Sequence, residues 1–261
     1  MAARAIWKGE LRVGTNKLPV KLYSAVEDKS VRFHILDDSK KHRVKQHMIS
    51  PDSGEEVEIK AIRKGYEVEP GKFVILDEED LESLKPEPSR EIDISGFVPV
   101  KAIPQQFYER PYFLGPDGDH AEYFALAQAL QNQQREGIAH WVMRNKAYSG
   151  ALGAQDGYLV LSTLRNRDEV IAADELTKPA GRAPTKKEID LAKHLVSMLE
   201  GEFDPADYKD EYRERVLEFI AKKAKGHAPR LAPVKAKRQT TSLDSVLTKS
   251  IAALKKGKRA A

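Results

Sequence analysis

The sequence predicts an α+β fold in which an antiparallel sheet comes first and a helical region and a basic tail follow. Three observations predict it. Apolar residues recur at every second position through the first third, the period becomes helical after Thr185, and Lys and Arg crowd the C-terminal end.

The strands are taken in chain order. Trp7, Gly9, Leu11 and Val13 alternate with Lys8, Glu10 and Arg12, and Val20 and Leu22 alternate with Lys21 and Tyr23 after a turn at 14–19. Val31, Phe33 and Ile35 alternate with Arg32, His34 and Leu36, and residues 73–76 continue the pattern. All are read as half-buried strands of one antiparallel sheet. Ile92 and Ile94 add a strand leading to 97–100, and residues 112–114 precede a turn at 115–118.

Residues 43–60 differ, because 43–49 and 55–60 flank a Ser50-Pro51-Asp52-Ser53-Gly54 turn and read as a hairpin with polar or charged residues on both faces. Such a ribbon must protrude or cover another polar surface. Its strands would extend roughly 20 Å. Basic residues sit at its base: Lys40, Lys41, Arg43 and Lys45 on the way out, Arg63 and Lys64 on the way back.

Asp77 and Asp80 read as the cap and acidic first turn of a short helix ending at Leu84, and Tyr123, Leu126, Ala127 and Leu130 give an amphipathic helix over 121–135. A second hairpin, 138–144 with 158–164, is joined by a glycine-bearing loop containing Asn145, Lys146 and Asp156-Gly157. Residues 172–184 read as a linker. Thr185 and Glu188 form a capping box for a helix with the stripe Ile189, Ala192, Leu195, Val196 and Leu199, ended by Gly201. Asp204 and Pro205 are read as the start of a last helix that buries Tyr208, Tyr212, Val216, Phe219 and Ile220. Beyond a basic linker at 226–241, Leu243, Val246, Leu247, Ile251 and Leu254 recur at helical spacing; this segment is expected to order only on a partner.

At 261 residues and 29.3 kDa the chain is expected to be one domain or one domain with appendages. It has no Cys, which removes disulfides, thiolate metal sites and cysteine nucleophiles. It has no apolar run near the roughly 20 residues of a membrane span and no signal-peptide stretch, so a cytoplasmic address is the expectation. The net charge of +4 hides a segregation: residues 222–261 hold 12 Lys or Arg against one acid, Asp244, for +11, leaving 32 basic and 39 acidic residues, or −7, in the body. A basic tail on an acidic body points to a polyanion such as nucleic acid.

Catalytic readings lack support. Seven His are scattered without HExxH or other ligand spacing, and no GxxxxGK[ST] or GxGxxG cradles a phosphate. Ser149-Gly150 and Ser162-Thr163 are read as having no nearby His with an acid orienter. Asp77, Glu79 and Asp80 could serve a metal-dependent nuclease, yet their place at a helix start explains them without chemistry. The expectation is therefore a binding protein with no catalytic residue, no metal and no cofactor. Phosphate contacts are assigned to the hairpin residues above, to Arg144 and Lys146, and in the tail to Lys235, Lys237, Arg238, Lys255, Lys256, Lys258 and Arg259.

The chain also carries a family resemblance. RAIWKGELRVG from residue 4, LPVKLYSA from 18 and VRFHIL from 31 are similar to the start of bacterial Ku, the homodimeric DNA-end-binding family of non-homologous end joining. Further matches follow in order: SGEEV, KGYE and VIL within 53–76, SREIDISGFVP from 89, FYERPYFLGPDG from 107, LVLSTLRNRDEV from 159 and EFDPADYKDEYRE from 202. The resemblance implies an antiparallel β-barrel core over 1–175 with a protruding hairpin bridge arm at about 40–64. A helical C-terminal region at 185–226 and a basic flexible tail at 227–261 complete the expected organisation. It further implies a homodimer whose arms and barrels ring a double-stranded DNA end, and recruitment of the pathway's ATP-dependent DNA ligase by the helical region, where Tyr208, Tyr212, Arg213 and Arg215 are the candidate contacts. A 261-residue globule has a radius of gyration of only about 18 Å, so one copy is too small to encircle a duplex. A nucleoid-type architectural protein is the alternative binding module, indifferent to DNA ends.

Overall fold

A computed structural model describes residues 4–40, 42–118, 120–177 and 181–226. In chain order its elements are β1 (Trp7–Val13), β2 (Asn16–Ser24), β3 (Lys64–Glu69), β4 (Lys72–Leu76), α1 (Glu78–Ser83), β5 (Glu91–Pro99), β6 (Tyr108–Pro116), α2 (Ala121–Gln133), β7 (Arg135–Met143), β8 (Lys146–Gln155), β9 (Tyr158–Leu164), α3 (Lys186–Met198) and α4 (Glu211–Ala224). They fall into two compact units, one of residues 1–29 and 34–176, the other of 30–33 and 177 onward.

Seven strands close a barrel in the order β1-β2-β6-β9-β8-β7-β5. Every pairing is antiparallel except the closing one, where β1 runs parallel to β5. Alternation puts one set of side chains inside. Leu11, Val20, Leu22, Ile92, Leu114, Leu152, Leu159 and Leu161 have no exposed surface, and burial of each contributes about 1.5–3 kcal/mol. α2 adds Tyr123, Ala127 and Leu130 to this core. The Tyr123 hydroxyl donates to the Leu114 carbonyl and accepts from the Leu159 N–H, tying β6 to β9 through a buried phenol whose ionisation burial pushes up.

Several expectations are corrected. Residues 145–157 are not a loop: β8 runs through them, making β7, β8 and β9 a meander. Its glycines disguise it. A Cβ at Gly150 would lie 2.7 Å from both the Trp141 ring and the Ser162 carbonyl, so only glycine lets the indole fold over the strand. The connecting turns, Arg144-Asn145 and Asp156-Gly157, have positive φ at both residues, the geometry two-residue hairpins favour. α2 stops at Gln133 because Gln134 is left-handed, so Arg135 opens a strand.

Residues 31–35 form no strand, and Phe33 and Ile35 are 70% and 65% exposed. β4 does not join the barrel; it pairs only with β3 in a separate two-stranded sheet that buries neither face. The alternation is real in both places, but no barrel strand is left to pair with it.

In the second unit, α3 begins at the predicted cap, with the Thr185 side chain accepting from the Glu188 N–H. Glu188 is held well below the usual carboxylate range, first by the Arg182 guanidinium and then by the Thr185 N–H and hydroxyl. The last helix starts later than expected. Asp204 and Pro205 make only a single 3-10 turn, and α4 opens at Glu211 with Asp210 accepting from the Arg213 N–H at 2.9 Å. Tyr208 therefore precedes the helix. The stripes of α3 and α4 are not buried either: neither helix contains a buried residue, and on α4 Val216 and Phe219 are only half-covered. The segment at 243–254 lies outside the described residues.

Candidate nucleic-acid interface

The barrel wall neutralises itself. Lys17 meets Glu10 at 3.2 Å and Glu91 at 2.5 Å, Arg12 meets Asp93 at 3.0 Å, and Asp117 takes both Lys8 at 3.3 Å and Lys21 at 2.6 Å. Hydrogen bonds from Lys17 to Glu91 and from Lys21 to Asp117 hold those carboxyls below their ordinary range and raise the lysines.

One rim of the barrel is different. β1 starts at Trp7 opposite Leu22, near the end of β2; β5 starts at Glu91 opposite Glu10; and β7 ends at Met143 opposite Lys146. These registers put the exit of the arm after Ser24, its return before Glu91 and the β7–β8 turn at the same rim. A groove of about 640 Å³ lies there between the first residues of β1, the segment 88–90 and the β7–β8 turn. Its lining holds three cations, Lys8, Arg90 and Arg144, and no carboxylate. Among the described residues Arg90, Arg144 and Lys146 have no ion-pair partner, and all three are exposed. Arg144 and Lys146 were expected from the sequence; Arg90 was missed, since nothing in its local pattern marks it.

The arm spans the residues between β2 and β5 and is three closures in series rather than one long hairpin. In the first, the Asp37 N–H donates to the His42 carbonyl at 2.9 Å and the Val44 N–H to Ile35 at 3.2 Å. The Asp37 carboxylate accepts from the Ser39 hydroxyl and from the Ser39 and Lys40 N–H groups, which lower its pKa in that order. The second is the predicted turn, with Ser50 N–H donating to Glu55 at 2.9 Å and Val57 N–H to Met48 at 2.8 Å, but its pairing ends there. Residues 59–61 are a 3-10 turn. The third is β3–β4.

This arrangement disperses the predicted basic cluster. Lys40 sits in the first tip; Arg43 follows it, its guanidinium 3.0 Å from His34 Nε2; and Lys45 lies between the first two closures. Arg63 donates to the Lys60 and Ile62 carbonyls and lies 3.8 Å from Asp77, so it is a brace more than a free cation. Lys64 is the first residue of β3. Lys41 and the tail residues Lys235, Lys237, Arg238, Lys255, Lys256, Lys258 and Arg259 lie outside the described residues. The ribbon is also less polar than expected, since Val44, Met48, Ile49 and Ile59 are exposed on it, as are Tyr66, Phe73 and Ile75 on β3–β4.

Ser149 has a histidine beside it, its hydroxyl 3.3 Å from His140 Nδ1. Strand register hid the neighbour: β7 and β8 put these residues opposite each other, with Asp93 across from His140 on β5. Asp93 is bound to Arg12 instead, so the orienting acid is spent. Asp77 and Asp80 make the reciprocal capping box of α1, the Asp77 N–H donating to the Asp80 carboxylate at 2.9 Å. In the second unit Tyr208 and Tyr212 are 71% and 73% exposed, while Arg213 and Arg215 on α4 are half-buried. The Tyr208 ring packs on Phe203 with centroids 4.8 Å apart.

Comparison with known proteins gives a consistent answer. The profile of the Ku70/Ku80 beta-barrel domain matches residues 12–191. The chain is 38% identical over 259 residues to the non-homologous end joining protein Ku of Anaeromyxobacter sp. (strain K), covering 97% of this chain and 87% of that one. It is 37% identical over 226 residues to the non-homologous end joining protein Ku 2 of Geotalea uraniireducens (strain Rf4), covering 87% and 88%. Against the non-homologous end joining protein Ku of Coxiella burnetii (strain RSA 331 / Henzerling II) it is 32% identical over 231 residues, covering 86% and 84%.

Proposed function

Because this chain belongs to the Ku family, we propose that it binds the ends of double-stranded DNA in non-homologous end joining, without sequence preference and without catalysis of its own. The observation that carries this reading is the carboxylate-free groove at the arm's rim, where Arg90 and Arg144 have no ion-pair partner among the described residues. Phosphate oxygens are the partners such cations lack, and phosphate contacts give affinity without reading sequence.

The functional unit is a homodimer in which two arms and two barrels ring the duplex. Its support is the apolar surface of the arm: Tyr66, Phe73 and Ile75 are each more than half exposed in a hairpin with no core of its own, and a second copy supplies the cover. An ATP-dependent ligase is the proposed partner of the second unit, through Tyr208 and Tyr212 with Arg213 and Arg215 behind them. The tail cations add phosphate contacts.

The deciding experiment compares a linear duplex with a covalently closed circle of equal length at matched salt. A ring requires a free end, so the linear form is bound far more tightly. Equal affinity overturns the ring in favour of an architectural protein that coats DNA. With about six phosphates neutralised, the slope of log affinity against log salt is near −5.

A further inference from the structure

We propose that the chain's own segment 243–254 packs as a helix, antiparallel to α4, in the apolar groove that α4 forms with Phe33. The groove holds about 580 Å³ and is lined by Phe33, Val216, Phe219, Ile220, Ala224 and the stem of Lys223, whose ammonium lies 5.9 Å from the centre of the Phe219 ring. All of its residues belong to the second unit. No carboxylate enters it, and Phe33 leaves 70% of its surface to solvent. A groove of this kind asks for an amphipathic helix with apolar residues at positions i, i+3, i+4 and i+8. Leu243, Val246, Leu247 and Ile251 have that spacing, and Leu254 extends it.

Tether and charge select this occupant. The groove occupies the last turns of α4, from Val216 to Ala224, and the tether starts directly after, at Gly226. A flexible chain of the length between 227 and 242 would span roughly 20–24 Å. Antiparallel packing sets Leu243 beside the last turn of α4, close to where the tether leaves and within that span, so the segment meets the groove at an effective concentration on the order of millimolar. α4 is net acidic at its start, where Glu211, Glu214 and Glu218 outnumber Arg213 and Arg215, and purely basic at its end, with Lys222, Lys223 and Lys225. The segment has the same polarity: Asp244 comes first, Lys249, Lys255 and Lys256 later. Antiparallel packing sets Asp244 beside the lysines and Lys255 and Lys256 beside the glutamates. Parallel packing sets like against like. The inference is independent of the DNA-end reading.

The absence of cysteine in the chain makes the test clean. Glu211→Cys with Lys255→Cys is compared with Lys222→Cys with Lys255→Cys in the full-length protein, using a short bismaleimide, with products sized on a denaturing gel. The first pair is expected to join within one chain at least tenfold faster than the second, and Leu247→Asp together with Ile251→Asp is expected to abolish the difference while leaving α4 intact. Equal rates for the two pairs mean an undocked tail and overturn the proposal. A product of two-chain mass assigns the groove to a second copy's tail and overturns it too, as does the absence of any product.

Discussion

The barrel and the arm are built from the same strand-forming residues, yet the barrel buries its apolar set and the arm leaves its own in solvent. Leu161 on β9 has no exposed surface, whereas Ile75 on β4 is 64% exposed. Their charges differ in the same sense. The wall pairs its lysines with carboxylates, and the rim where the arm departs keeps Arg90 and Arg144 unpaired. The barrel satisfies its own chemistry, while among the described residues the arm and its rim leave both apolar and cationic groups uncovered.

The largest test of this contrast is on packing. Leu161→Ala is expected to lower the unfolding free energy by about 2–5 kcal/mol in urea titration. Ile75→Ala in dilute protein is expected to change the barrel transition by less than about 0.5 kcal/mol. Equal losses would mean that the arm folds as part of the barrel. A cost at Ile75 that grows with protein concentration sharpens the contrast, since a partner copy then supplies the cover.

The next test is on charge. Arg90→Glu with Arg144→Glu is expected to weaken binding to linear duplex about 10- to 100-fold and make the log salt slope less negative by about 2, measured by fluorescence anisotropy. Lys17→Met on the wall is expected to change it less than about twofold. Equal losses at wall and rim would remove the distinction between them.

The smallest effect concerns acid. Folding lowers the pKa of Glu91 from 4.5 and of Asp117 from 3.8, so each contributes stability that is present above its unfolded pKa and lost as pH falls through the folded one. Barrel stability should be flat from neutral pH to about 5 and fall below about 4.5. Lys17→Met, which removes the main cause of the Glu91 shift, should make that acid limb shallower in thermal melts at stepped pH.

Much of the barrel was legible in the sequence because one buried face leaves an alternating trace, as at Leu11, Val20, Leu22, Ile92 and Leu114. The same trace misled at 31–35 and 73–76, since alternation reports an extended two-faced segment and not what covers it. β8 was hidden by glycines that make room for Trp141. The start of α4 was misplaced because Asp204-Pro205 carries the same cap chemistry that Asp210 puts to use six residues later. The rim was the least legible part: Arg90 and Arg144 are distant in sequence, and the pairing of β5 with β7, Ile92 opposite Trp141, makes them neighbours.

The β1–β5 pair that closes the barrel sets a timetable for synthesis. β1 leaves the ribosome before the other strands of the barrel, and β2 can zip onto one of its edges at once, but its other edge is reserved for β5, which emerges only after the whole arm has been translated. Until then the nascent protein presents a bare strand edge and a half-built cavity, the state most open to misassembly and to chaperones. Every residue inserted in the arm lengthens that wait, so elongation of the projecting segment is limited by how long an unfinished cylinder can be left ajar.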